Sequence, residues 1–185
     1  MKKTSIASWV SIFLLLSIGL LFAGIAPPKE GEVLPEITLS VPEVTTHQNY
    51  LGITKNKKTF RIPEIKAEIV LIEIFSMYCP YCQKDAPVVN ELYNKIAQDE
   101  KLKNKIKLIG IGAGNSPFEV DFFQKTYDVN FPLFPDGEFS IHKMIGEVRT
   151  PYFIGVKIKK DGTHSISSSE RGAIEDASKF LNLIL

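Results

Sequence analysis

Cysteine is scarce in this chain: 185 residues contain two. That count excludes a miniprotein stapled by several disulfides and a four-cysteine zinc site. Charge of one sign is not in excess either, with 22 basic against 21 acidic side chains. A general nucleic-acid binder carries a clear basic surplus, so no nucleic acid is expected as a partner. With 12 Gly and 11 Pro the chain is not collagenous, and at 44% hydrophobic residues it is not wholly disordered. The length suits one domain and falls short of two full ones. Internal repeats and low-complexity tracts are absent.

Charge is also missing locally. After Lys2 and Lys3 there is none from Thr4 to Pro28, and within that run lies the apolar stretch Ile12 to Phe22. About 20 residues at ~1.5 Å each span the hydrocarbon core as a helix. The flanking lysines favour the cytoplasmic side, so the remainder is expected to face the periplasm or cell exterior. Residues 1–28 therefore read as a single-pass membrane anchor. A cleaved leader ending at Gly24-Ile25-Ala26 is the alternative, with Pro27 unfavourable just after the cut. Residues 29–42, with Pro35 and Pro42, read as a stiff linker, and 43–185 as the domain, with an extension beginning near 33.

Both cysteines fall in Cys79-Pro80-Tyr81-Cys82. The run Ile69 to Phe75 before them is short, apolar and rich in β-branched residues, which predicts a buried central strand. After them Val89, Leu92, Tyr93 and Ile96 recur at helical spacing, and Pro80 suits a first helical position. The cysteines thus sit where a strand hands over to a helix N-terminus. Free N–H groups and the helix dipole favour a thiolate on Cys79, while Cys82 lies one turn in and is expected to be more buried. Cys79 would attack a partner disulfide and Cys82 would resolve the mixed disulfide. A purely structural disulfide is a weak alternative, because so short a loop adds little stability. Glu73 is the only charge in the strand and shares a face with Leu71 and Phe75. Buried there, its pKa would rise, and it could exchange a proton with Cys82.

This segment resembles the active site of the thioredoxin superfamily. Glu73, six residues before Cys79, stands where that superfamily keeps a buried acid. Pro87 matches the proline that kinks the active-site helix, and Thr150-Pro151 before Tyr152 to Val156 matches the cis-proline loop facing the cysteines. Tyr78 stands where a Trp commonly precedes the first cysteine. The wording from Glu73 to Cys82 is similar to DsbA-like oxidases. The chain plan is similar to the membrane-anchored TlpA/ResA-like proteins: 68 residues separate Cys82 from Pro151, and they read as strand 106–111, helix 117–127, short strand 131–134 and helix 139–145. The resemblance implies a thioredoxin-like α/β fold, with a central mixed sheet flanked by helices and an inserted strand–helix unit. It implies catalytic Cys79, Cys82 and Glu73, with Tyr78, Pro80, Tyr81, Thr150 and Pro151 contacting substrate. It further implies a redox-active Cys79–Cys82 disulfide in place of any cofactor. The partners implied are exported cysteine-containing proteins and a membrane thiol–disulfide electron donor or acceptor. The activity expected is disulfide reduction of the cytochrome-maturation type, with thiol oxidation as the alternative. A peroxidase is disfavoured, because its motif would need proline at position 72, where the chain has Ile72.

A rival from another class is an anchored metal or haem chaperone using the two sulfurs, with His47, His142 or His164 as further ligands; none of these lies near the motif. Gly110 to Gly114 lacks the spacing of a nucleotide-binding turn, and the lysines from Lys101 to Lys107 read as a solvated turn. Ile174, Ala177, Leu181 and Ile184 read as the packed stripe of a last helix.

Overall fold

A computed structural model describes residues 25–54 and 56–185. The anchor or leader read from residues 1–28 lies, up to residue 24, outside them. Among the described residues no helix is long and apolar enough to cross a membrane.

The seven residues Ile69–Phe75 form β3, at the centre of a five-stranded sheet of order β5-β4-β3-β6-β7. β4 (Ile106–Ala113) runs parallel to β3, and β5 (Leu133–Asp136) runs parallel to β4. β6 (Tyr152–Ile158) is antiparallel to β3, and β7 (His164–Arg171) closes the sheet antiparallel to β6. The sheet is therefore mixed, as expected. A separate two-stranded ribbon pairs β1 (Thr38–Ser40) with β2 (Thr59–Arg61).

Alternation along β3 divides the core. Val70, Ile72 and Ile74 enter one cluster with Leu51 and with Ile141 and Ile145 around the short α4 (Ser140–Met144). Leu51 ends α1 (Thr45–Leu51). Leu71 and Phe75 enter the other cluster, with Val89 and Leu92 of α2 (Pro80–Gln98), Phe123 of α3 (Pro117–Thr126) and Ile184 of α5 (Ala177–Ile184). Helices thus cover both faces.

Several boundaries differ from the sequence reading. The short strand expected at 131–134 runs from Leu133 to Asp136, because Pro132 has no N–H to place in the ladder and Phe131 turns into the core. Ile174 is buried but precedes α5; it belongs to the incoming loop rather than to the helical stripe. The stretch 29–42 lies against the domain. Leu34, Ile37 and Leu39 are buried, and Gly31 and Glu32 exchange backbone hydrogen bonds with Ile166 of β7. Strand β7 itself went unread, since its sequence His164-Ser-Ile-Ser-Ser-Ser-Glu-Arg171 offers one large apolar residue.

Candidate functional site: two thiols and two buried acids

Cys79 is the N-cap of α2, and Pro80 occupies the first helical position. The cap is a sulfur: Cys79 Sγ accepts the Cys82 N–H at 3.4 Å. Both cysteines are free thiols, Cys79 partly exposed and Cys82 buried. Their surroundings pull them apart. Burial works against charge on Cys79, but hydrogen bonds from the Thr150 side chain and from the N–H groups of Cys82 and Tyr81 outweigh it, so its pKa lies below the ordinary thiol value. Burial pushes the Cys82 thiol far up, and the nearby Glu73 and Cys79 push the same way.

The Thr150–Pro151 bond is cis, as the resemblance implied. Thr150 lies opposite the nucleophile, and the Cys79 thiol donates to the Thr150 carbonyl at 3.3 Å. Among the described residues no hydrogen bond takes up the Thr150 N–H. Tyr78 and Tyr81 flank the sulfurs with 65% and 70% of their surface exposed. The Tyr78 hydroxyl donates to Glu119 at the start of α3.

Glu73 is 3% exposed, on the face of β3 that meets α2. Burial raises its pKa to about 8, and the charges of Asp85 and Cys79 add to the effect. Asp85 is the acid that the sequence reading did not single out. It lies one turn beyond Cys82 on the buried stripe of α2, beside Ala86 and Val89. Burial raises its pKa to about 6, while the Ile174 N–H, donating to its two carboxyl oxygens at 3.0 and 3.1 Å, works the other way. An acid on an otherwise apolar stripe was the available signal. Two like carboxyls buried beneath a thiol can carry protons near neutral pH.

The loop holding Cys79 is fixed at one residue, Met77. Asn115, fully buried, accepts the Met77 N–H at 2.8 Å, and the Gln83 side chain donates to the Met77 carbonyl at 2.7 Å. Nothing in sequence joins Met77 to a residue 38 positions away.

The remaining candidates do not converge on the two sulfurs. The His142 ring Nε2 lies 2.8 Å from the Val148 carbonyl, His47 is on α1, and His164 begins β7. Among the described residues no cluster of three His, Cys, Asp or Glu side chains could hold a metal ion. Gly110 and Gly112 lie within β4, and Gly114 adopts a left-handed turn against the Phe139 ring.

The profile of the AhpC/TSA family matches residues 31–165, which include the cysteine pair and the cis-proline loop. The chain belongs to the AhpC/TSA family. Within the AhpC/TSA frame, Ile72 stands buried in β3 where a peroxidase motif would need proline. The chain is 27% identical over 162 residues to the thiol-disulfide oxidoreductase ResA of Bacillus cereus, covering 88% of this chain and 86% of that one. The crystal structure of StoA from Bacillus subtilis superposes with a TM-score of 0.56 at 18% identity, over 83% of this chain and 98% of that one. The thioredoxin domain of a thiol-disulfide oxidoreductase from Bacteroides vulgatus gives 0.60 at 14% identity, over 85% and 99%. The fold is thioredoxin-like. A thiol–disulfide oxidoreductase is the enzyme class that the family, these relatives and the paired thiols agree on.

Proposed function

We propose that this enzyme reduces disulfides in exported proteins through Cys79 and Cys82, and that residues 1–28 tether it to the membrane with the domain outside the cytoplasm. The observation that carries the reading is the opposed setting of the two thiols: Cys79 is partly exposed at the N-cap of α2 and Cys82 is buried one turn in, which lowers the first pKa and raises the second. The Cys79 thiolate attacks one sulfur of a partner disulfide. That S–S bond breaks, a Cys79–partner disulfide forms, and the departing partner thiolate takes a proton. Cys82 then gives its proton to whichever of Glu73 and Asp85 is ionised and attacks Cys79 Sγ; the second partner sulfur leaves as a thiolate that takes up that proton, and a Cys79–Cys82 disulfide remains. Two electrons pass to the partner, and a membrane dithiol donor must return them. Thr150, with a free N–H beside the nucleophile, would pair with the partner backbone, and Tyr78, Pro80, Tyr81 and Pro151 would form the rim.

What stabilises Cys79 supports the proposed direction. Strong oxidants owe their potential to a heavily stabilised thiolate in the reduced form. Here the influences are burial and hydrogen bonds, with no lysine or arginine among them, and two acids lie beneath. The balance favours a reductant, of which reduction of cytochrome cysteines before haem attachment is one use. The DsbA-like wording around Cys79 favours oxidation instead.

Two measurements test this. Cys82→Ala should accumulate partners disulfide-linked through Cys79; if Cys79→Ala accumulates them, the roles are reversed. Equilibration with glutathione should give a potential nearer the thioredoxin end of about −270 mV than the DsbA end of about −120 mV; a value near the latter makes the enzyme an oxidase.

A further inference from the structure

Two clefts meet at Thr150. One, about 410 Å³, is bounded by Ser76, Tyr78, Phe139 and His142. The other, about 400 Å³, lies on the far side of Thr150 and Pro151, between Tyr81 and the loop that leaves β7. Arg149 borders both. Arg171, the last residue of β7, borders the second, where Glu175 is the one acidic lining residue.

Both arginines are exposed. Among the described residues neither makes an ion pair, although Lys57, Arg61, Lys95, Lys103, Lys105 and Lys125 all do. Two guanidiniums against one carboxylate leave the second cleft net positive. Its position is fixed relative to the chemistry. Thr150, which lines it, has its carbonyl 3.3 Å from Cys79 Sγ. An extended peptide advances ~3.3 Å per residue, so side chains within about two residues of a cysteine held at Cys79 reach the cleft.

We infer that the Arg149–Arg171 cleft selects partner segments bearing an acidic side chain within about two residues of the target cysteine. This rests on the proposed function and names part of its substrate class. Arginine is suited to the task, since its planar fork meets a carboxylate with two parallel hydrogen bonds. Charges at an open cleft act more on discrimination and encounter than on total affinity. The selection is therefore a ratio between substrates, and it weakens with salt.

The test is single-turnover oxidation of the reduced enzyme by disulfide-linked peptide dimers, followed by alkylation of the remaining thiols. Three peptides differ only beside the cysteine, carrying Glu, Gln or Lys on both flanks. Neutral hydroxyethyl disulfide reports the exchange chemistry without a peptide. The Glu peptide should react about fivefold faster than the Gln peptide at low salt, and the Lys peptide more slowly than either. In Arg149→Gln/Arg171→Gln the Glu-to-Gln ratio should approach one, and in Arg149→Glu/Arg171→Glu the Lys peptide should lead. If hydroxyethyl disulfide reacts but the three peptides react alike, or if the Glu preference survives the double Gln variant, the inference fails alone. If neither hydroxyethyl disulfide nor any peptide oxidises the enzyme, the proposed function fails and the inference with it.

Discussion

Val70, Ile72 and Ile74 enter one core from β3, while Leu71, Glu73 and Phe75, their neighbours on the same strand, face the other. Among the described residues, the charged side chains buried at the first core lie at its margins, each with a suitable partner. Lys107, at the start of β4, lies over the Tyr50 ring and donates to the Lys103 carbonyl. Asp136, at the end of β5, accepts the N–H groups of Ile141 and His142 and so caps α4. The second core buries two like acids, Glu73 and Asp85, beneath the thiols. A charge with a complementary partner serves architecture. Two carboxyls buried without a cation become titratable near neutrality, and β3 and α2 hold them on the face that carries the chemistry.

The comparison can be broken at its dry face first. Ile72→Ala removes a fully buried side chain and should cost about 3 kcal/mol in chemical unfolding. It should leave the Cys79 titration in place, as followed by the pH dependence of alkylation. A shift in that titration as large as the one caused by Glu73→Gln would mean that the two faces are not chemically separate.

On the other face the effect should depend on pH. The folded protein holds the Glu73 proton up to about 8, whereas the unfolded chain releases it near 4.5. Between those values the unfolded state binds fewer protons, so stability falls as pH rises, by at most about 1.4 kcal/mol per unit. Glu73→Gln should flatten that decline in urea midpoints measured from pH 5 to 8. Parallel curves for the two proteins would show that Glu73 is ionised in the fold.

Asp85 should give the smallest change. Its window is narrower, from about 3.8 to about 6, and the Ile174 N–H already supports its charge. Asp85→Asn should remove a shallow decline on the acid side and leave the slope above pH 6.5 as in the parent. A change confined to alkaline pH would show that Asp85 and Glu73 exchange roles.

How far the sequence foretold this depends on the range over which each feature is built. β3 and the start of α2 were legible because β-branched runs, helical spacing and a first-turn proline are local signals. Glu73 was legible because one charge interrupts an apolar strand. The ribbon β1–β2 and strand β7 were not, since short or serine-rich segments acquire their structure from neighbours. The Asn115 hydrogen bond and the Arg149–Arg171 cleft were illegible for a related reason. Each is made by segments that only the completed sheet brings together.

The hold on Met77 has a consequence for how any partner arrives. Its amide hydrogen is committed to Asn115 and its carbonyl already accepts from Gln83, so Met77 has no free N–H to offer. Under the proposed function an incoming polypeptide would lean side chains on Tyr78 and knit itself to the opposite bank, where the Thr150 N–H is unclaimed. Access to the sulfur would then be one-handed, a visitor's orientation being set by which shore it can be moored to.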